Sequence, residues 1–184
     1  MTTWLTADEH YGHANILRYC ERPFTDVDHM ARELVERQNA VVGPNDDVIH
    51  VGDFVMNERL LSSILPQLRG RHTLVFGNHD RCHPCRKDHV AAKRRYLQAG
   101  FVDVVERFVL DGMLVHHMPY SGDDREKYHA YRPADEGLVL LHGHIHGLWK
   151  TRGRMVNVGV DVRGYAPVSL DDIRDEIRGL RKQP

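Results

Sequence analysis

Two stretches decide how this chain folds: Val48-Ile49-His50-Val51-Gly52-Asp53 and Thr73-Leu74-Val75-Phe76-Gly77-Asn78-His79-Asp80. Each is a short, β-branched apolar run that stops at a glycine and is followed at once by residues that can ligate a metal or move a proton. Runs of this length, bounded by turn residues, read as buried strands. Between them lie Leu60, Leu61, Ile64, Leu65 and Leu68 at helical spacing, with Asn57 as a candidate cap and Pro66 as a kink or stop. The unit is therefore strand–helix–strand, and a parallel sheet is expected.

Working outward, residues 3–7 are extended-looking. Thr25, with Asp28 three residues on, is a candidate cap for a helix carrying Val27, Met30, Ala31, Leu34 and Val35 and stopping at Gly43-Pro44. A polar helix is expected over residues 86–99, ending at Gly100. Beyond it the pattern turns to strands. Residues 102–110 and 113–116 flank Asp111-Gly112, a hairpin signal. Leu138 to Leu141 and Met155 to Val158 are extended, and Ser169 with Asp172 can cap a last helix carrying Ile173, Ile177 and Leu180. Alternating elements followed by strands suggest a layered α/β domain, two packed sheets with helices outside.

At 184 residues, with 41% apolar and 28% charged side chains, the chain has the size and composition of one domain spanning 1–184. A net charge of −1 excludes a strongly basic nucleic-acid binder, so any such contact needs a local patch. Three cysteines, Cys20, Cys82 and Cys85, do not make a disulfide framework. With no signal-peptide pattern and no long apolar run, a cytoplasmic location and no membrane contact are expected. The unusual feature is 14 histidines, the commonest metal ligand.

The chemistry-bearing residues fall at strand ends, where sites form in α/β sheets. Asp8 and His10 follow the first strand, Asp53 the second, Asn78 and His79 the third, His116 ends the hairpin strand, and His144 and His146 follow the next. The i,i+2 pairs Asp8/His10 and His144/His146 would send both side chains to one side of an extended backbone. Gly52, Gly77 and Gly143 permit tight exits. Carboxylate, amide and imidazole donors together suit a divalent first-row metal better than calcium.

Asp8-x-His10, Gly52-Asp53, Gly77-Asn78-His79-Asp80, His116 and Gly143-His144-x-His146 resemble, in order, the five motifs of calcineurin-like metallophosphoesterases, over roughly residues 8–146. The resemblance implies a four-layer αββα sandwich with two packed mixed β-sheets flanked by helices. It implies two divalent metal ions: one held by Asp8, His10, Asp53 and His146, the other by Asp53, Asn78, His116 and His144, with Asp53 the bridge. Mn²⁺ is the first expectation, with Fe, Zn, Ni or Co also suited. His79 matches the family's non-ligand histidine, and Asp80 is placed to orient its ring. Of the neighbours His116 and His117 only one can face the site, and His116 is chosen because it directly ends Met113-Leu114-Val115. After Gly52-Asp53 this chain has Phe54-Val55-Met56-Asn57, unlike the larger phosphatases and similar to small bacterial and phage-type members.

The implied activity is hydrolysis of phosphate esters by a metal-activated water, phosphodiesters favoured, with cyclic nucleotides or nucleic acid as candidate substrates. The alternatives are a phosphomonoesterase on small metabolites and a non-catalytic phosphate- or partner-binding module. No obligate protein partner is evident. His13, Asn15 and Arg22 are candidate substrate contacts, although His13 and Asn15 could equally cap a helix and Arg22 could simply be exposed before Pro23. Cys82-His83-Pro84-Cys85 with His89 could hold a structural zinc, but a lone C-x-x-C more often marks a reduced loop. His50 and His142 read as interior hydrogen-bonded histidines, and His29, His72 and His129 as surface ones. Loop 120–137, with Tyr120, Tyr128 and Tyr131 among Arg125, Lys127 and Arg132, reads as a solvated rim more readily than a nucleic-acid platform. Lys150, Arg152 and Arg154 form a basic hairpin near the site.

Overall fold

The computed structural model describes residues 1–122 and 127–180. Asp123, Asp124, Arg125 and Glu126 of the expected rim loop lie outside the described residues.

The parallel unit expected from the two opening stretches is there. Strand β1 (Thr3–Thr6) pairs in parallel with β2 (Asp47–His50), which pairs in parallel with β3 (Arg71–Val75). Helices α1 (Ala14–Tyr19) and α2 (Val27–Val41) lie between β1 and β2 in the chain. Between β2 and β3 comes α3 (Leu61–Ile64), flanked by the 3₁₀ turns Glu58–Leu60 and Leu65–Gln67. Asn57 caps this segment, accepting from the Arg59 N–H, and Pro66 sits where α-helix gives way to the tighter turn. The cap of α2 is Asp26, not Thr25: the Asp26 carboxylate accepts the His29 N–H at 2.7 Å. A carboxylate one residue closer to the helix reaches the N3 amide directly.

The expected strand 102–110 is two strands in two sheets. After α4 (His89–Ala99), β4 (Asp103–Val105) joins β3 in parallel. Across Glu106, β5 (Arg107–Leu110) leaves that sheet and forms the hairpin with β6 (Met113–His116) around Asp111-Gly112, both at positive φ. Next come β7 (Val139–His142), β8 (Thr151–Arg152), β9 (Met155–Asn157), β10 (Val168–Ser169) and α5 (Leu170–Leu180). The Ser169 hydroxyl accepts the Asp172 N–H, as its position suggests.

The result is two mixed five-stranded sheets packed together and flanked by helices, an αββα sandwich. The orders are β10-β1-β2-β3-β4 and β5-β6-β7-β9-β8. Leu5, Ile49, Val75, Met113, Val115, Leu141 and Val156 fill the space between the sheets, joined by Ile173 of α5. The helices α1 to α4 cover the other face of the first sheet through Ile16, Met30, Leu34, Ile64 and Tyr96. On the outer face of the second sheet, Leu114, Leu140 and Met155 pack under Tyr120, Leu138 and Trp149. Among the described residues no helix is long and apolar enough to cross a membrane.

His50 is wholly buried, its Nδ1 2.6 Å from Glu9 Oε1 and its Nε2 3.0 Å from His72 Nδ1. His72 is not a surface residue: it is buried under Phe101 and hydrogen-bonded to this relay.

Candidate metal centre

β1, β2, β3 and β7 all end at one edge of the sandwich, and the loops that leave them carry the site. The Asp8 N–H donates to the Gly52 carbonyl at 3.0 Å and the His10 N–H to the Asp53 carbonyl at 3.0 Å, tying the first loop to the second. The backbone is unusual. Asp8, His10, Asp53, His144 and His146 have φ of 60°, 53°, 56°, 73° and 49°. Non-glycine residues rarely adopt this left-handed conformation, and each instance costs of the order of 1–3 kcal/mol unless its surroundings enforce it. The i,i+2 pairs thus converge through left-handed turns and not through extended backbone. The surroundings that enforce them are polar. The Asp8 carboxylate accepts the His144 N–H at 2.9 and 3.1 Å, and the Asp53 N–H donates to Asp80 Oδ2 at 2.9 Å.

Two glycines allow the crowding. At Gly52 (φ +90°), a Cβ would stand 2.3 Å from His117 Nδ1 and 2.8 Å from the Gly77 Cα. At Gly77 it would stand 2.2 Å from Asp53 Oδ1 and 2.6 Å from the Asp53 nitrogen.

Asp53 is central. Its Oδ2 lies 3.6 Å from His10 Nε2 and 3.4 Å from His117 Nε2, and its Oδ1 accepts the His79 N–H at 2.8 Å. On one side, Asp8, His10 and His146 bring ligand atoms within metal-binding reach of one another. On the other, Asp8, Asp53 and His117 do the same. Asn78 Oδ1 extends the second group, 3.2 Å from His117 Nε2 and 3.0 Å from His144 Nδ1.

His116 is not part of this centre. Met113 and Val115 face the space between the sheets while Leu114 faces out, so strand alternation sends His116 outward and His117 inward. The Met118 N–H donates to His116 Nδ1 at 3.0 Å, and the ring lines a small hollow with Phe76, His83 and Tyr131. His117 Nδ1 is held 2.8 Å from the Val51 carbonyl, which aims Nε2 at Asp53 and Asn78.

The electrostatics fit a cation site. Burial raises the Asp8 carboxyl to about 6, against the pull of the His146 and His117 imidazoles. Burial would raise Asp53 too, but His117 and His10 hold it well below the usual carboxylate range. Burial would lower His117, yet the Asp53 carboxylate lifts it to about 9. Burial drives His10 well below its ordinary value. Both His10 ring nitrogens are buried with no hydrogen-bond partner, a costly state for a protein interior. A neutral imidazole with an unclaimed lone pair, beside two carboxylates, is the donor set a divalent metal takes.

Arg22 is not exposed, and it does not line the cleft over the centre. It is buried, and its guanidinium donates to both oxygens of Asp161 (2.8 and 2.9 Å) and to the Asp8 and Glu9 carbonyls (2.7 and 3.0 Å). Asp80 does not touch the His79 ring. Its carboxylate accepts N–H bonds from Gly77 (2.8 Å), Asp53 (2.9 Å) and Phe54 (3.2 Å), stapling two motif loops together. His13 does both things its position allowed: its Nδ1 accepts the Ile16 N–H to cap α1, and its ring lines the cleft. Asn15 is exposed on α1 and does not line that cleft.

The cleft over the centre has a volume of about 700 Å³. His10, His79, His144 and His146 form its polar floor, and Ile16, Tyr19 and Leu148 one apolar side. Tyr19 and Leu148 are exposed. Cys82 is buried, with its thiol pushed up by burial, while Cys85 is exposed. Among the described residues they do not converge with His83 and His89 into a metal-binding group. Arg154 of the basic hairpin pairs with Asp135 at 2.8 Å and lines a different cavity, beside Arg174 and Ile177.

Asp161 was not singled out from the sequence. It lies in the 3₁₀ turn Val160–Val162 after β9, its Oδ2 3.0 Å from His146 Nδ1. No motif flags an aspartate after an apolar strand, and its partner Arg22 is 139 residues away.

A family model described as calcineurin-like phosphoesterase superfamily domain matches residues 3–162. The chain is 32% identical to the Gene 66 protein of Mycobacterium phage D29, over 97% of both chains. It is 30% identical to the uncharacterised protein MJ1445 of Methanocaldococcus jannaschii, over 91% of this chain and 86% of that one. Among solved structures, the Aquifex aeolicus protein AQ665 matches with a TM-score of 0.68 at 23% identity, over 95% of this chain and 98% of that one, a likeness of fold.

Proposed function

This chain belongs to the calcineurin-like phosphoesterase superfamily, and on that basis we propose that it is a metal-dependent phosphodiesterase. Asp8, His10, Asp53 and His146 would hold one metal, and Asp53, Asn78, His117 and His144 the other, with Asp53 shared. Two such ions, when bound, lower the pKa of a water and neutralise charge on the phosphate.

The observation that carries the reading is His10, buried between Asp53 and His146 with neither ring nitrogen hydrogen-bonded. A packing role would have supplied a partner; a metal supplies one. The strained left-handed residues point the same way, because such strain gathers where a geometry must be held for function.

The other residues have work that follows from their places. The Asp53–His79 contact is made by the His79 backbone N–H, which leaves the His79 ring to face the cleft beside His10 and His13. That ring is suited to hold the proton needed by the departing oxygen. The diester preference is supported by room. A cleft of about 700 Å³ far exceeds one phosphate, and its Tyr19 and Leu148 side can seat an apolar substituent. Mn²⁺ is the proposed assay metal, because mixed nitrogen and oxygen shells bind it exchangeably.

The test is metal-stripped protein restored with Mn²⁺ and given bis-p-nitrophenyl phosphate beside p-nitrophenyl phosphate. Faster Mn²⁺-dependent diester turnover, abolished in a folded Asp53→Ala protein, is expected. A monoester preference would overturn the diester assignment. Turnover that survives Asp53→Ala would overturn the shared-carboxylate centre.

A further inference from the structure

We propose that Asp161, clamped by Arg22, is the positioning residue that orients His146 and sets the affinity of the metal position His146 serves. The inference rests on the metal-centre reading above.

An imidazole can ligate through either nitrogen, and which one is free depends on what the other nitrogen meets. His146 Nδ1 stands 3.0 Å from Asp161 Oδ2, so the carboxylate takes the Nδ1 proton and leaves the Nε2 lone pair as the donor. The ring then stacks against His10 at 5.2 Å and 28°, within metal-binding reach of Asp8. The backbone is held separately. Asn157 Nδ2 donates to the His146 carbonyl at 2.8 Å, which supports its left-handed φ of 49°. Ring and backbone are thus fixed by different residues: Asn157 holds the backbone, and Asp161 meets the ring, with the Cys20 thiol beside it.

Asp161 could not stay ionised and nearly dry without compensation. Arg22 supplies it through two parallel bonds, the geometry in which a guanidinium meets a carboxylate best. Of its other donors, one meets the Met30 sulfur and two reach the Asp8 and Glu9 carbonyls, in the loop that carries the proposed ligands Asp8 and His10. The Val160 N–H donates to the Ala7 carbonyl at 3.0 Å, which brings the Asp161 turn against the end of β1. One buried guanidinium therefore fixes the loop carrying Asp8 and His10 relative to the residue that aims His146. A purely structural ion pair would need neither the bond to His146 nor those two carbonyls.

Asp161 acts on one metal position only. His117 is held through the Val51 carbonyl, a neutral acceptor, and makes no bond to Asp161. The proposal therefore predicts an asymmetric effect. Calorimetric titration of the apoprotein with Mn²⁺, comparing wild type with Asp161→Asn, should show one binding step weakened by roughly 10–100-fold and the other unchanged. Asparagine keeps the size and an acceptor but removes the charge. Equal affinities in the two proteins, or an equal fall in both steps, would overturn it, since general loosening would move both.

Should Asp161→Asn fail to fold, the wild-type protein decides. Nitrogen-15 spectra of the Zn²⁺-loaded protein should show His146 with a proton on Nδ1 and metal on Nε2. The reverse arrangement would overturn the proposal. A wild-type protein that binds no metal would remove the metal-centre reading as well, whereas bound metals with a reversed His146 would remove this inference alone.

Discussion

Gly77→Ala adds one carbon at the most crowded point of the candidate centre. The new Cβ would lie 2.2 Å from Asp53 Oδ1 and 2.6 Å from the Asp53 nitrogen. Ordinary contact lies near ~3.5 Å, so the Asp53 backbone must retreat by roughly 1 Å, and rotating a side chain cannot relieve a clash with a backbone atom. That retreat stretches the buried Asp53 N–H bond to Asp80 and the partly buried His79 N–H bond to Asp53. Overpacking costs about 1–3 kcal/mol and two weakened hydrogen bonds about 1–2 kcal/mol more. The sum, roughly 2–5 kcal/mol, is a large share of a typical domain's stability of about 5–15 kcal/mol. Turnover should fall further than stability does, because a displacement of about 1 Å in a catalytic array costs on the order of 100-fold. Urea unfolding of the metal-free protein reads the first effect, and Mn²⁺-dependent hydrolysis of bis-p-nitrophenyl phosphate reads the second. Gly179→Ala is the control: it lies in α5 with nothing within 4 Å, and alanine there should stabilise by about 0.5–1 kcal/mol. A Gly77→Ala protein with wild-type stability and turnover would refute the argument that Gly77 is required by the approach of Asp53.

Two further outcomes follow from the same geometry. His117→Ala should lose one of two bound metals and most turnover, while His116→Ala should keep both metals, the opposite of the choice made from the sequence; metal analysis of the purified variants separates the two assignments. His72 is lowered to about 3, chiefly by burial and then by its neighbour His50, so the folded state resists a proton that the unfolded chain accepts near 6.5. Its contribution to stability is complete above about pH 6.5 and falls by roughly 1.4 kcal/mol per pH unit between 6.5 and 3. His72→Gln should therefore close on wild type in stability between pH 6 and pH 5, and an unfolding difference that stays constant over that range would show that His72 does not resist protonation.

The strand–helix–strand unit was legible because its signals are local: apolar runs, glycine stops and a cap at Asn57 all lie within a few residues of what they shape. The expected strand 102–110 failed for a reason no local pattern carries. Nothing in its composition says that the chain changes sheets at Glu106, because Val104 and Phe108 are equally good strand residues in either sheet. Phe108 packs in the core between the sheets while Val104 packs beneath the helices, a difference of partners and not of residue type. Arg22 was missed for a similar reason. A buried arginine is intelligible only with its carboxylate, and Asp161 arrives from the far end of the domain.

The choice between His116 and His117 shows where local reading stops at the site itself. Met113-Leu114-Val115 is apolar at every position, since both faces of β6 are covered, so the run has no alternation to say which parity faces the other sheet. The centre, however, grows from that inner face: Met113, Val115 and Leu141 line the same space toward which His117 points. Parity along a strand fixes the ligand once the two clusters on either side are known, and only tertiary packing supplies them. The left-handed turns repeat the point. Asp8 and His10 converge because their N–H groups donate to the Gly52 and Asp53 carbonyls of the next loop, and the His144 N–H of a third loop donates to the Asp8 carboxylate; together these hold a backbone that two isolated residues would leave. The motif residues are thus local in sequence, but the geometry that makes them a candidate metal centre belongs to the contacts between loops. Substitutions at the loop contacts, Asp80 and Gly77 among them, should therefore disturb metal binding as surely as substitutions at the proposed ligands.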